Sequence, residues 1–346
     1  MKKISHRYVR KTAAGVVALS MLCAAAIPSV LAMPAGAASA SGDLNGDGSV
    51  TAADVAILQT SLLGGTALIA EQYANADVTG DGAVDGLDLT RLRQMAAVVP
   101  VSDAIAIHLS DSGITVEGDT KGVTAVSGKA VTISASGNYT VDGSITDGQI
   151  LVNIPDTTAD SDAVSLYLQD VTMTSSNGAP CILGQSAKKL KLTCSGENTL
   201  TDTAAEANAD TSGVIYGDCD ITVTKNSTGT LNITSSMNTA IRSKDDIKLN
   251  GGAVVINTDV DDTSDADAIR ANNTLEVDGA SVSITSSADG LKSSKEDVSI
   301  LSGKVSIKVG NDAVQAATAL NISGGTVIAS GDRGFTLDEN GTLAIT

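Results

Sequence analysis

A short triplet returns five times in the last third of the chain, and its return dictates the architecture. Ala240-Ile241-Arg242 opens one unit, Ala268-Ile269-Arg270 the next, then Gly290-Leu291-Lys292, Ala313-Val314-Gln315 and Gly334-Phe335-Thr336. The starts lie 28, 22, 23 and 21 residues apart, and the longest interval holds an insertion around Asp259 to Ser264. Each unit adds two short alternating runs, as in Ile247-Lys248-Leu249 and Val254-Val255-Ile256, parted by Gly251-Gly252. Three such strands cannot close a core alone, so neighbouring units must stack. A coil of this length predicts a right-handed parallel β-helix, since hexapeptide and nonapeptide solenoids repeat at shorter intervals. Earlier runs such as Ala130-Val131-Thr132-Ile133, Gln149-Ile150-Leu151-Val152 and Val164-Ser165-Leu166-Tyr167-Leu168 also alternate. Residues 104–346 are therefore expected to be mostly β, with almost no helix.

Stacking turns a repeated residue into a column, with neighbours roughly 4.8 Å apart. Asp267, Asp289, Asp312 and Asp332 each precede a coil start, at intervals of 22, 23 and 20. They are expected to form a carboxylate column able to share a cation such as calcium. Arg242, Arg270 and Lys292, followed by Gln315, form a parallel and largely basic column. Together the columns could hold an acidic polysaccharide, calcium bridging to its carboxylates and the cations pairing with them directly. The plainer alternative is solenoid chemistry, in which Asp caps turns and like side chains ladder by default.

Nearer the N-terminus two segments share a different pattern. The first runs from Asp43 through Asn45, Asp47, Ser49 and Thr51 to Asp54, the second from Asp77 through Thr79, Asp81, Ala83 and Asp85 to Asp88. Oxygen side chains stand at loop positions 1, 3, 5, 9 and 12, with Gly48 and Gly82 at position 6. Calcium takes six to eight oxygens on a tight curve, and the glycine makes the turn that a side chain would block. Ser49 and Ala83, at position 7, would offer backbone carbonyls. Apolar residues at helical spacing follow each loop: Val55, Ile57, Leu58, Leu62 and Leu63, then Leu89, Leu92 and Met95. The expectation is a pair of calcium loop–helix repeats, a scale at which a small domain commonly needs metal.

Residues 41–98 resemble type I dockerins, through the duplicated loop, its closing Asp and the apolar helix after it. The resemblance implies Ca2+ as cofactor and the cohesin module of a cellulosomal scaffoldin as partner. The family's recognition positions fall on Ala52, Ala53, Gln59 and Thr60 in the first repeat, and on Gly86, Leu87, Arg93 and Gln94 in the second. Thr79 departs from the usual Asn or Asp, and the two recognition sets differ from each other.

Ahead of this module, residues 1–40 read as a secretory signal. Lys2, Lys3, Arg7, Arg10 and Lys11 precede an apolar run from Ala13 to Ile27, and Ala38-Ser39-Ala40 offers a cleavage site. The formal net charge of −18 would become −23 after cleavage, which repels nucleic acid and suits divalent cations. Cys181, Cys194 and Cys219 would remain, without metal spacing, and read as small buried residues. With no Trp and one Phe, the chain has little on which to stack neutral sugars.

Residues 104–346, joined by a short linker at 99–103, resemble a clostridial carbohydrate-binding domain family. The resemblance rests on the segments Gly137-Asn138-Tyr139-Thr140-Val141-Asp142-Gly143, Gly196-Glu197-Asn198-Thr199-Leu200-Thr201-Asp202 and Lys244-Asp245-Asp246-Ile247, and on the repeated Asp-Gly/Ala-aliphatic turns. Members look like pectate-lyase β-helices, bind calcium and acidic polysaccharides, and have no established catalytic activity. The resemblance implies a secreted, cellulosome-associated component that binds plant cell-wall polysaccharide without catalysis. One alternative is a calcium-dependent polysaccharide lyase, with Lys292 or Arg270 beside Asp289 as base. The other is a structural or adhesive surface protein. No pair of carboxylates stands apart as a glycosidase would need, and His108 reads as structural.

Overall fold

A computed structural model describes residues 42–46, 50, 52–96, 104–206, 208–258 and 267–346. The proposed leader lies outside the described residues, as do Asp47, Ser49, Thr51 and the insertion after Thr258. No helix among the described residues is long and apolar enough to cross a membrane.

The described residues of the N-terminal module hold three helices: α1 (Ala52–Leu62), α2 (Ala70–Ala76) and α3 (Gly86–Ala96). Leu58 of α1 and Leu92 of α3 are fully buried, with Leu44 and Ala76 completing a small core. The sequence pattern predicted α1 and α3, whose leucines recur at helical spacing. It did not predict α2, a short stretch fixed by tertiary contacts. Gln72 donates to the Leu44 carbonyl at 2.9 Å, and Asn75 to the Asp43 carbonyl at 2.9 Å. Thus α2 clamps the backbone of the first loop.

The larger region is a parallel β-solenoid, as the repeat requires. Each coil lays one strand on each of three faces. On the first face, Gln149–Asn153, Ile182–Ser186, Gly213–Gly217, Thr239–Ser243, Ile269–Ala271, Leu291–Ser293, Asp312–Ala316 and Arg333–Leu337 pair in parallel order. Their central residues form one inward column: Ile150, Ile182, Ile215, Ile241, Ile269, Leu291, Val314 and Phe335. The second face stacks Leu190, Ile221, Ile247, Leu275, Val298 and Leu320 inward. The third stacks Leu200, Ile233, Ile256, Ile284 and Ile307. Alternation along these strands fills one long core, and on the first face neighbours of the inward residues, Tyr216 among them, are buried as well.

Antiparallel pairs stand at the N-terminal end of the solenoid, where Thr124–Ser127 folds on Ala130–Ile133 and Ile105–Leu109 on Thr115–Glu117. They give the first coil backbone partners that the parallel stack does not supply. Tight corners follow from glycine: Gly303, between second and third faces, has φ +97, and a Cβ there would strike the Ala280 carbonyl. Asn198, fully buried at the same corner of an earlier coil, bonds three backbone groups. All three described cysteines are free and buried, as expected, and burial first of all pushes their thiols up to about 12.

Candidate functional site

On the first face the outward column runs Leu183, Tyr216, Arg242, Arg270, Lys292, Gln315 and Thr336. The predicted basic column therefore exists. Two positions before each inward residue, the register sets Asp312 opposite Arg333, with Asp267 and Asp289 at the matching places of their own coils. Asp332 is thus a correction: it stands three residues before the inward Phe335, where the other aspartates stand two before theirs, and the cation Arg333 takes the column position. Arg333 grips Asp312 through two bonds of 2.6 and 2.9 Å.

The rest of the Asp column needs a second correction. Asp267, Asp289 and Asp312 are all buried rather than displayed. Lys292 lies 2.8 Å from Asp289 and 3.6 Å from Asp267, and Arg270 lies 3.6 Å from Asp267. The carboxylates neutralise the cations beside them, so the column is an ion-pair ladder and offers no open calcium surface. Burial pushes Asp267 up to about 7, against the pull of Lys292. Burial lowers the Lys292 ammonium, but Asp267 and Asp289 outweigh it and hold its pKa above the ordinary value. Arg242 has no ion-pair partner among the described residues and lies over the Tyr216 ring, 6.0 Å from its centre.

An unpredicted cluster sits one turn further along, where the first face bends into the second. Oxygens of Asp220, Asp245 and Asp246 all lie within 4.8 Å of one another, on half-buried side chains. Register explains the meeting: Ile221 pairs with Ile247, so the residues before them stack. Lys189 approaches Asp220 at 3.2 Å, and Asn273 donates to Asp245 at 2.7 Å. Burial, then the Asp220 charge, raises the Asp245 pKa despite that bond. Crowded carboxylates with no full set of counter-ions fit a hard divalent cation, which takes oxygen ligands. Alongside stand Arg242 and the exposed Lys244, which bonds Asp218 at 2.8 Å and lies 5.6 Å from the Tyr216 ring centre. The sequence signal is faint: Lys244-Asp245-Asp246-Ile247 stands out as an acidic turn, but Asp220 belongs to a coil whose period is hidden.

In the helical module the second loop has the curl that its pattern predicts. Asp77 accepts from the Gly80, Asp81 and Gly82 amides at 2.8, 3.2 and 2.9 Å. Gly80 and Gly82 both have positive φ. Asp81 accepts from Ala83, and Asp85 from Leu87. Buried Asp88 takes the Thr79 amide and hydroxyl at 3.1 and 2.9 Å and the Asp85 amide at 2.9 Å. Burial opposes its ionisation, yet these bonds outweigh it and lower the Asp88 pKa. In the first loop, Asp54 accepts from Leu44 and Asn45, and Asp43 from Gly46. Asp54 thus ties the start of the first loop to the start of α1. Among the recognition positions, Arg93 donates to Gln59 at 2.9 Å across α3 and α1, Thr60 bonds the Ala56 carbonyl, and Leu87 is exposed. Ala52, Ala53 and Gln94 lie in α1 and α3, and Gly86 opens α3.

Residues 127–341 match the carbohydrate-binding domain-containing protein family over most of the chain. The chain belongs to that family. Residues 41–95 match the dockerin type I domain, the module that docks a chain into the extracellular cellulosome. A carbohydrate-binding domain-containing protein of Acetivibrio thermocellus is 33% identical over 138 residues, 38% of this chain and 46% of that protein. The match thus spans under half of the relative's length. A solved structure described as a polysaccharide lyase-like protein from C. thermocellum, in a gadolinium derivative, aligns with TM-score 0.51 and 21% identity. It covers 70% of this chain and 100% of its own, and at that identity it establishes the fold alone.

Proposed function

We infer that the chain is a cellulosome component whose dockerin holds it to a scaffoldin cohesin while its solenoid binds acidic plant cell-wall polysaccharide with calcium. One observation carries the reading: the carboxylates of Asp220, Asp245 and Asp246 converge within 4.8 Å of one another, on a stretch of chain that also carries Arg242 and Lys244. The three carboxylates would hold the calcium, which supplies a positive charge for a uronate carboxylate. Arg242 would pair with a neighbouring uronate, its planar fork matching the carboxylate. In the dockerin, Asp43, Asn45 and Asp54 would serve one ion, and Asp77, Asp81, Asp85 and Asp88 the other, alongside the backbone at Ala83.

The reading is non-catalytic. A lyase base must be able to shed its proton, and Lys292 is held as an ammonium by Asp267 and Asp289. Arg270 is likewise engaged with Asp267. Incubating the full chain with polygalacturonate and calcium while following ultraviolet absorbance tests this. Retention on the polymer without new absorbance is expected. Growing absorbance from unsaturated products would make the protein a lyase.

A further inference from the structure

The last coil of the solenoid leaves a strand edge open on each of its three faces. Thr326–Ser330, Arg333–Leu337 and Thr342–Ile345 each pair with the coil before them and, among the described residues, with nothing beyond. Residues of the inward columns therefore meet solvent here. Phe335, Leu343 and Ile345 are 38%, 50% and 62% exposed, whereas Val314 and Leu320, which precede Phe335 and Leu343 in their columns, are fully buried. The opposite end differs, since Thr115–Glu117 and Thr124–Ser127 close it by antiparallel pairing. Devices that keep an edge from pairing are also missing. Thr326–Ser330 and Thr342–Ile345 contain no charge and no proline, and they pair without a bulge.

The occupant must fill three edges at once. One extended peptide would cover a single edge and leave two. A second copy of the same end covers all three. Turned about a two-fold axis through the first face, it sets Arg333–Leu337 antiparallel to its own copy, and each Thr326–Ser330 against Thr342–Ile345 of the other chain. The coil climbs from the third face through the first to the second. The lowest edge of one copy thus meets the highest of the other, and the three gaps are equal. Charge is compatible with this pairing. Arg333, its side chain 67% exposed, opens its strand, and Asp338 and Glu339 follow the strand's end. Antiparallel pairing turns that cation toward the acids of the other copy. Asp332 offsets part of the attraction, so backbone bonds and apolar contacts supply most of the contact energy. A head-to-tail stack is blocked by the antiparallel strands at the N-terminal end.

We propose that the open end of the solenoid is a self-association surface, through which two copies join end to end as a two-fold dimer. The inference is independent of the calcium reading. The dimer presents two dockerins and two solenoids, so docking and polymer retention both gain by avidity.

Sedimentation velocity of the full chain, with concentration raised through the micromolar range, tests this. The parent is expected to pass from monomer to a species of twice the mass. Combined Leu343→Lys and Ile345→Lys place like charges on the meeting edges, at positions already exposed. That variant should stay monomeric at every concentration, with the melting temperature of the dilute parent. Leu63→Lys, at an exposed site of the dockerin, is the control and should dimerise as the parent does. A parent that stays monomeric, or a double lysine variant that dimerises equally well, would overturn the proposal. Loss of the dimer in the Leu63 variant alone would place the contact in the dockerin and overturn it too.

Discussion

The Lys292 ammonium lies 2.8 Å from the Asp289 carboxylate three residues before it, and it also reaches back to Asp267 on the preceding coil at 3.6 Å. One cation thus ties two coils together inside the ion-pair ladder that Arg270 and Arg333 share. Replacing it leaves two buried carboxylates facing each other. Lys292→Met is expected to destabilise the solenoid by about 2–4 kcal/mol, near the range for breaking a buried pair. Denaturant titration of the two proteins checks this, and equal midpoints would contradict it.

Asp267 gives that ladder a pH signature. Its folded pKa, about 7, lies above the ordinary carboxylate value of 3.8, so the folded state binds more protons between the two. Stability from this group is therefore full below about pH 4 and is lost as pH rises through 7. Asp267→Asn removes the dependence. The melting temperature of the parent, relative to the variant, should climb as pH drops from about 8 to about 5. A constant difference would show that Asp267 does not titrate there.

Asn198 is buried, accepts from the Val171 amide at 3.0 Å and donates to the Ser195 and Thr230 carbonyls at 2.9 and 3.2 Å. Those groups lie at a corner where no strand partner replaces the side chain. Asn198→Ala should cost about 2–4 kcal/mol, chiefly the desolvation of backbone groups left without bonds. A loss under about 0.5 kcal/mol, the level of an ordinary surface change, would mean that the corner rearranges.

In the dockerin, buried Asp88 gathers the Thr79 and Asp85 amides and closes the second loop. Asp88→Ala should lower calcium affinity at that loop and loosen α3. Asp43→Ala with Asp47→Ala should abolish cohesin binding if the first repeat carries recognition. Unchanged cohesin binding, measured by calorimetry in calcium, would assign recognition to the second repeat with Leu87 and Arg93.

The repeat from Ala240 onward was legible because its coils are short and nearly equal, so Ile241, Ile269 and Leu291 recur visibly. Earlier coils were not, since segments such as 155–162 and 203–212 lengthen them unevenly and hide the column through Ile150, Ile182 and Ile215. Asp332 falls outside the column because it precedes its coil start, Gly334, by two residues rather than one, which puts Arg333 opposite Asp312. Burial of the Asp column escaped notice because its counter-ions sit three residues away and on the next coil. The cluster of Asp220 with Asp245 and Asp246 required knowing which coils touch. Helix α2 is too short for periodicity, and its anchors are side chains bonded to a distant loop.

The most direct measurement compares the parent chain with Asp245→Asn plus Asp246→Asn for retention on polygalacturonate, in calcium and then in chelator. The account predicts that the parent is retained only with calcium and that the variant is not retained, while both still bind cohesin. Equal, calcium-independent retention of the two would contradict it and remove the Asp220 cluster from the binding site.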